Sequence, residues 1–272
     1  SETLTDSVRQ INAQYPKNRV RLKAIGGGGG KGQRIVALGD AERTPELVRE
    51  ILAEVKTTGV GDNKNVLVEL NIETTRHQEI QVIGNGDWCI TLGGRDCSLQ
   101  MHEQKLLEVS VTRESLLQAV EAAERADQAE AAAVLRQDLE TLDTMESEAA
   151  VFGLAVGLDS VSTFECIVDR DQHFFMEMNT RIQVEHPVTE MVTGIDIVKE
   201  QIKIAAGEKR SFTQEDVVLK GHSIEIRVNA EDPKFDFRPH PGTIDLLHVP
   251  SGHGVRFDSF VYAGYQIPPY YD

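Results

Sequence analysis

Few stretches limit the fold of this chain as tightly as Glu177-Met178-Asn179-Thr180-Arg181-Ile182-Gln183-Val184-Glu185-His186-Pro187, which continues the apolar His173-Phe174-Phe175-Met176. A strand that turns into Glu, Asn, Arg, Gln and Glu has stopped serving a core and reads as an active site. Successive strand side chains point to opposite faces, so Glu177, Asn179, Arg181 and Gln183 are expected on one side, with Met176, Met178 and Ile182 on the other. Upstream, Thr163 to Val168 is a second strand, joined through Asp169-Arg170-Asp171-Gln172, whose polarity suits a hairpin loop. With a three-residue loop and Asp169 facing His173, Glu165 falls directly opposite Glu177. Opposed carboxylates are destabilising unless something cationic lies between them. With Asn179 as a third oxygen ligand, a hard divalent cation such as Mg²⁺ fits, filling its remaining positions with phosphate or water. The plainer alternative is a pair of surface acids satisfied by Arg181 and other cations, with no metal.

A second feature favours the nucleotide reading. Lys23-Ala24-Ile25 is followed by five glycines, Gly26 to Gly30, then Lys31-Gly32-Gln33 and a strand-like Arg34 to Leu38. A flexible linker is one reading of a glycine run. A strand, glycine loop and strand with basic residues at both ends is instead a cover whose N–H groups close over phosphates, Lys23 and Lys31 adding charge. Walker A is excluded, because Lys31 is followed by Gly32 and the required first glycine is Ile25. The dinucleotide fingerprint is excluded as well, since the run leads into a strand rather than opening a helix.

Taken together, the residues resemble the biotin carboxylases of the ATP-grasp superfamily, found in acetyl-CoA, propionyl-CoA and pyruvate carboxylases. The similarity runs from about Arg21 to Asp272. It rests on Lys23 to Gly32, Arg76 to Val82, Arg95 to Gln100, Glu177 to Glu190, Glu225 to Pro233, and the closing Tyr262-Ala263-Gly264-Tyr265 and Pro268 to Asp272. The resemblance implies an α+β fold: an ATP-grasp lid (1–70) with the glycine loop, a central antiparallel sheet with helices (71–210), and the beginning of a biotin carboxylase C-terminal domain (211–272). It implies a reaction in which ATP activates bicarbonate as carboxyphosphate and the carboxyl group passes to biotin on a carrier protein. Cofactors are then ATP, Mg²⁺ or Mn²⁺, and carrier-bound biotin. Partners are a biotin carboxyl carrier domain and a carboxyltransferase domain or subunit.

Residue roles follow from the same resemblance. Lys23 and Gly27, Gly28, Gly29 and Gly30 hold nucleotide phosphates, Glu69 and Ile72 border the adenine, and His77 and Gln100 complete the nucleotide pocket. Glu165, Glu177 and Asn179 are the metal ligands. Lys105, Arg181, Gln183 and Val184 form the bicarbonate pocket, Glu185 is the general base, and Arg227 faces the biotin oxygen. The residue types suit the chemistry: a guanidinium fork matches a planar oxyanion bidentately, whereas lysine acts as a point charge. Without the motif, Arg227 reads as an ordinary strand arginine paired with Glu225 or Glu231.

Some positions depart from the family pattern. Met101-His102-Glu103-Gln104-Lys105 places Glu103 where a pocket histidine is usual, and Leu70 replaces a lysine. Both changes imply weaker ATP binding, because an acid repels nucleotide oxygens unless a proton or metal intervenes. Thr112 to Gly157 is longer than the family's helix, with Leu135, Leu139, Leu142, Met145, Ala149 and Phe152 forming an amphipathic stripe expected to pack on the core. Relative to the family, the N-terminal domain and the end of the C-terminal domain are missing, so the chain reads as a fragment impaired in turnover. Another ATP-grasp ligase would share the lid and metal ligands but not Glu185 and Arg227, and a non-catalytic nucleotide-binding or assembly module is the third possibility.

Composition narrows the partners. A net charge of −16 disfavours nucleic acid, whose phosphates are neutralised by Lys and Arg. No apolar run approaches membrane-spanning length. Cys89, Cys97 and Cys166 lack paired spacing, which points to a reducing cytoplasm, or to a mitochondrion had a transit segment been removed. The final carboxyl acceptor and the oligomeric state are not encoded in these motifs.

Overall fold

A computed structural model describes residues 2–25, 32–57, 65–73, 75–101 and 104–268. Gly27 to Gly30, expected to cover phosphates, and Glu103 lie outside the described residues. The chain divides into two compact units, one through Ile226 and one from Arg227.

Within the larger unit, helix α1 (Glu2–Gln14), strand β1 (Val20–Ala24), strand β2 (Gln33–Val36), helix α2 (Thr44–Thr57) and strand β3 (Val66–Leu70) form a small layer. Its antiparallel sheet has the order β2-β1-β3. Alternation sends Val20, Leu22 and Ala24 to one face, where they meet Val8 of α1 and Leu47, Ile51 and Val55 of α2. The four-residue spacing of those α2 positions supplies the apolar stripe. Arg21 and Lys23 take the opposite face, with Glu69 directly across from Arg21.

The second sheet is antiparallel, in the order β8-β7-β4-β5-β6-β9. Its strands are β4 (Arg76–Asn85), β5 (Cys89–Met101), β6 (Gln104–Val111), β7 (Asp159–Asp169), β8 (Gln172–Asn179) and β9 (Ile224–Ile226). On one face Ile80, Val82, Phe164, Cys166 and Val168 are covered by Leu142, Met145 and Ala149 of helix α4 (Ala129–Ala155). The expected stripe therefore packs on the core through its middle. Phe152, near its end, is partly exposed and clusters with Phe164 and Phe175. Helix α3 (Arg113–Arg125) runs against α4, capped by reciprocal hydrogen bonds between Thr112 and Ser115.

The packing of α4 has a pH signature. Burial pushes the Glu146 carboxyl up to about 7, and Asp143 one turn earlier adds to this while Arg113 opposes it. An acid raised in the folded state favours folding while protonated, so this contribution fades as pH rises from the ordinary carboxylate range through about 7. Glu146→Gln is therefore expected to raise the melting temperature at pH 8 by a few degrees and by less at pH 5. Calorimetry at the two pH values checks this, and an equal shift at both would refute it.

The other face of the large sheet has two halves. Ile83, Ile90, Leu92 and Val161 are covered by Ile197 at the start of helix α6 (Ile197–Ala205). Beyond them the same strands carry Glu79, Gln81, Arg95, Thr163 and Glu165, all buried. Helix α5 (His186–Thr193), closed by Gly194 at φ 70°, approaches this polar half.

In the smaller unit, short strands pair Glu231–Asp232 with Arg238–Pro239 and Gly242–Thr243 with Gln266–Ile267. Among the described residues no helix is long and apolar enough to cross a membrane.

Candidate active site

One row of side chains crosses four strands in register. Arg95 on β5 faces Glu79 on β4, Glu79 faces Glu165 on β7, and Glu165 faces Glu177 on β8. The expected opposition of Glu165 and Glu177 is present, but by another route. The hairpin loop has two residues rather than three: Asp169 pairs with Gln172, Val168 with His173, and Arg170 adopts φ 57°. A bulge between Glu165 and Cys166 then shifts the register by one. The extra residue that the loop lacks is restored inside the strand.

Adjacent acids in such a row repel, and the repulsion is met from β6 and β5. Lys105 Nζ donates to Glu79 Oε2 at 2.6 Å, Glu185 Oε1 at 2.6 Å and Glu165 Oε1 at 3.1 Å. An ammonium has three donors, and here each reaches a carboxylate. Arg95, fully buried, donates Nε to Glu79 Oε1 at 2.7 Å, and Nη1 to Gln81 Oε1 at 2.8 Å and Thr189 Oγ1 at 2.7 Å. Burial pushes the Glu79 and Glu165 carboxyls up, but the neighbouring groups outweigh it. Arg95 and Lys105 hold Glu79 below its ordinary range, and His77 with Lys105 holds Glu165 at about 2. Burial acts against Lys105 as well, yet the surrounding acids, Glu79 foremost, raise it.

His77 Nε2 lies 2.9 Å from Glu165 Oε2, and its Nδ1 lies 2.8 Å from Gln100 Nε2. Because that Gln100 amide nitrogen also donates to the Cys97 carbonyl at 2.9 Å, its donor end faces the ring. Nδ1 therefore accepts and Nε2–H donates to Glu165, which assigns the neutral tautomer. From the far side Asn179 Nδ2 donates to Glu165 Oε1 at 2.9 Å, and Gln183 Nε2 to the same oxygen at 2.7 Å. Gln183 is buried, and its Oε1 finds no donor among the described residues.

Strand alternation does not carry Arg181 and Gln183 as expected, because β8 ends at Asn179. Gln183 reaches Glu165 from a loop. Arg181 is exposed, and its Nη1 donates to the Ile182 carbonyl at 3.3 Å. Ile182 packs with the α6 cluster, on the face that bears Glu165, rather than opposite it. Val184 is exposed, whereas Glu185, at the N-cap of α5, is 2% exposed. Lys23 and Glu69 lie on the small sheet, Ile72 just after it, and Arg227 opens the second unit.

Glu79 and Arg95 were not singled out as functional residues by the sequence reading. The sign was present: Glu79 and Gln81 alternate with Ile80 and Val82 in an otherwise apolar strand, a pattern that buries polar side chains on one face.

Comparison with known proteins places this geometry. The carbamoyl-phosphate synthase L chain ATP binding domain matches residues 5–132 and 109–212, and the biotin carboxylase C-terminal domain matches 225–272. A biotin carboxylase of a Nostoc species is 46% identical over 262 residues, which is 95% of this chain and 52% of that protein. Biotin carboxylase 1 of Bacillus subtilis is 45% identical over 95% of this chain and 52% of its own length. The biotin carboxylase domain of Hydrogenobacter thermophilus 2-oxoglutarate carboxylase, solved with MgADP, ADP and bicarbonate, superposes with a TM-score of 0.80 at 38% identity. The match covers 98% of this chain and 53% of that one. The chain thus spans about half the length of the curated relatives it matches.

Proposed function

Because the chain belongs to the biotin carboxylase family, we propose that it carries the site for ATP-dependent carboxylation of carrier-bound biotin by bicarbonate. The observation that carries this reading is the buried junction of Lys105, Glu79, Glu165 and Glu185, with the exposed Glu177 directly across from Glu165. Glu165, Glu177 and the side-chain oxygen of Asn179, brought round by rotating its amide, make a hard-oxygen set that fits Mg²⁺ or Mn²⁺. A bound divalent ion supplies charge neutralisation at the ATP phosphates. His77 and Gln100 form the floor of the nucleotide side, with Lys23 and Glu69 contributing from the small sheet and Ile72 from the segment after it.

Bicarbonate then lies against Lys105, the Arg181 fork, the Val184 backbone and the open acceptor Gln183 Oε1. The single hydroxyl of bicarbonate is turned toward Glu185, with the Gln183 amide lining the pocket. Glu185 takes that hydroxyl proton as the oxygen attacks the γ-phosphorus, giving carboxyphosphate and ADP. Arg227 stabilises the charge that develops on the ureido oxygen as the carboxyl group reaches the biotin nitrogen. The carrier and carboxyltransferase are the partners this chemistry requires, and three unpaired thiols fit a reducing cytoplasm. Bicarbonate-dependent ADP formation, stimulated by biotin, is the test, and turnover indifferent to bicarbonate would sink the reading.

The metal assignment has its own check. Glu177 is exposed, so Glu177→Gln leaves the fold intact, while removing one charge from the proposed pair. ADP binding, tighter with Mg²⁺ than without in the parent, is expected to lose that difference in the variant. Titration calorimetry with and without Mg²⁺ measures it, and a retained metal dependence would reject Glu177 as a ligand.

A further inference from the structure

We propose that Arg95 is a positioning residue that sets the relation of Lys105 to Glu185 by gripping the sheet and helix α5 at once. Its guanidinium is fully buried in the larger unit, and it has no access to substrate. One edge holds Glu79 Oε1, and the other oxygen of that carboxylate holds Lys105 Nζ at 2.6 Å. Nη1 holds Thr189 Oγ1 at 2.7 Å, one helical turn beyond Glu185. The path closes on itself, because Lys105 donates back to Glu185 at 2.6 Å. Thr189, Arg95, Glu79, Lys105 and Glu185 form a ring through three strands and one helix. Movement of α5 away from the sheet would break the ring at Thr189 before it reached the acid at the helix start. A lysine at position 95 cannot span Glu79, Gln81 and Thr189 together, since it lacks the planar fork. The proposal rests on the roles given above to Lys105 and Glu185.

Thr189 allows a test that leaves the buried charges in place. In the protein that carries this chain, Thr189→Val preserves shape and removes the acceptor for Arg95. Turnover of bicarbonate-dependent ADP formation is expected to fall about tenfold at saturating ATP, as small misplacements of reacting groups do. MgADP affinity should stay within about twofold, because the nucleotide side is untouched. Thr189→Ser restores the hydroxyl and is expected to recover turnover. Arg95→Lys should lose more than Thr189→Val, and if it fails to fold, the Val and Ser pair still decides. Unchanged turnover in Thr189→Val, a parallel loss of MgADP affinity, or failure of Ser to rescue would each overturn the proposal. A parent with no bicarbonate dependence would instead remove the functional reading on which it rests.

Discussion

Lys105→Met is expected to cost about 3–5 kcal/mol of folding stability, the scale for removing one partner from a buried ionic cluster. Lys105 is only 12% exposed, and its ammonium meets three carboxylates that are themselves almost fully buried. Methionine fills the same volume but donates nothing, leaving Glu79, Glu165 and Glu185 with Arg95 as the one remaining buried cation of the cluster. The effect depends on pH with a definite sign. In the parent, Glu165 is held at about 2, so its contribution is present above the ordinary carboxylate range and disappears as pH falls toward 2. Without Lys105 that depression shrinks, and the acids become easier to protonate in the folded chain. The stability gap between parent and variant should therefore be largest at pH 7–8 and narrow as pH falls below about 4.5. Urea unfolding at pH 8 and pH 4 measures the gap. A constant gap would mean that Lys105 acts through packing rather than charge.

Much of this arrangement was legible in the sequence, for reasons that differ by element. The hairpin acids were readable because two one-residue changes, a shorter loop and a bulge, cancel and leave Glu165 opposite Glu177 as the longer loop would have placed it. Arg181 was misread because alternation holds only while the chain is a strand, and β8 ends two residues earlier. Glu79 and Arg95 were harder. Their role arises from pairing between strands that are far apart in sequence from α5, and local pattern carries no information about which helix will lie over which row.

The same ring allows a test that tells a group needed for folding from the one proposed for chemistry. With His77 in its neutral tautomer, the buried cluster carries three acids against Lys105 and Arg95, one negative charge in excess. Glu185→Gln removes that excess and keeps an oxygen able to accept from Lys105 Nζ. Its stability should stay close to that of the parent, in contrast to Lys105→Met. Catalysis is expected to behave in the opposite way: an amide cannot take the bicarbonate proton, and general-base contributions are about 10²–10⁴ in rate. Bicarbonate-dependent ADP formation should fall by that factor, with MgADP affinity unchanged because the role proposed for Glu185 is toward bicarbonate and not toward the nucleotide. Single-turnover rates beside urea unfolding of the same variant decide it. A variant that loses stability but keeps its rate would make Glu185 a structural counter-ion and transfer the base role elsewhere.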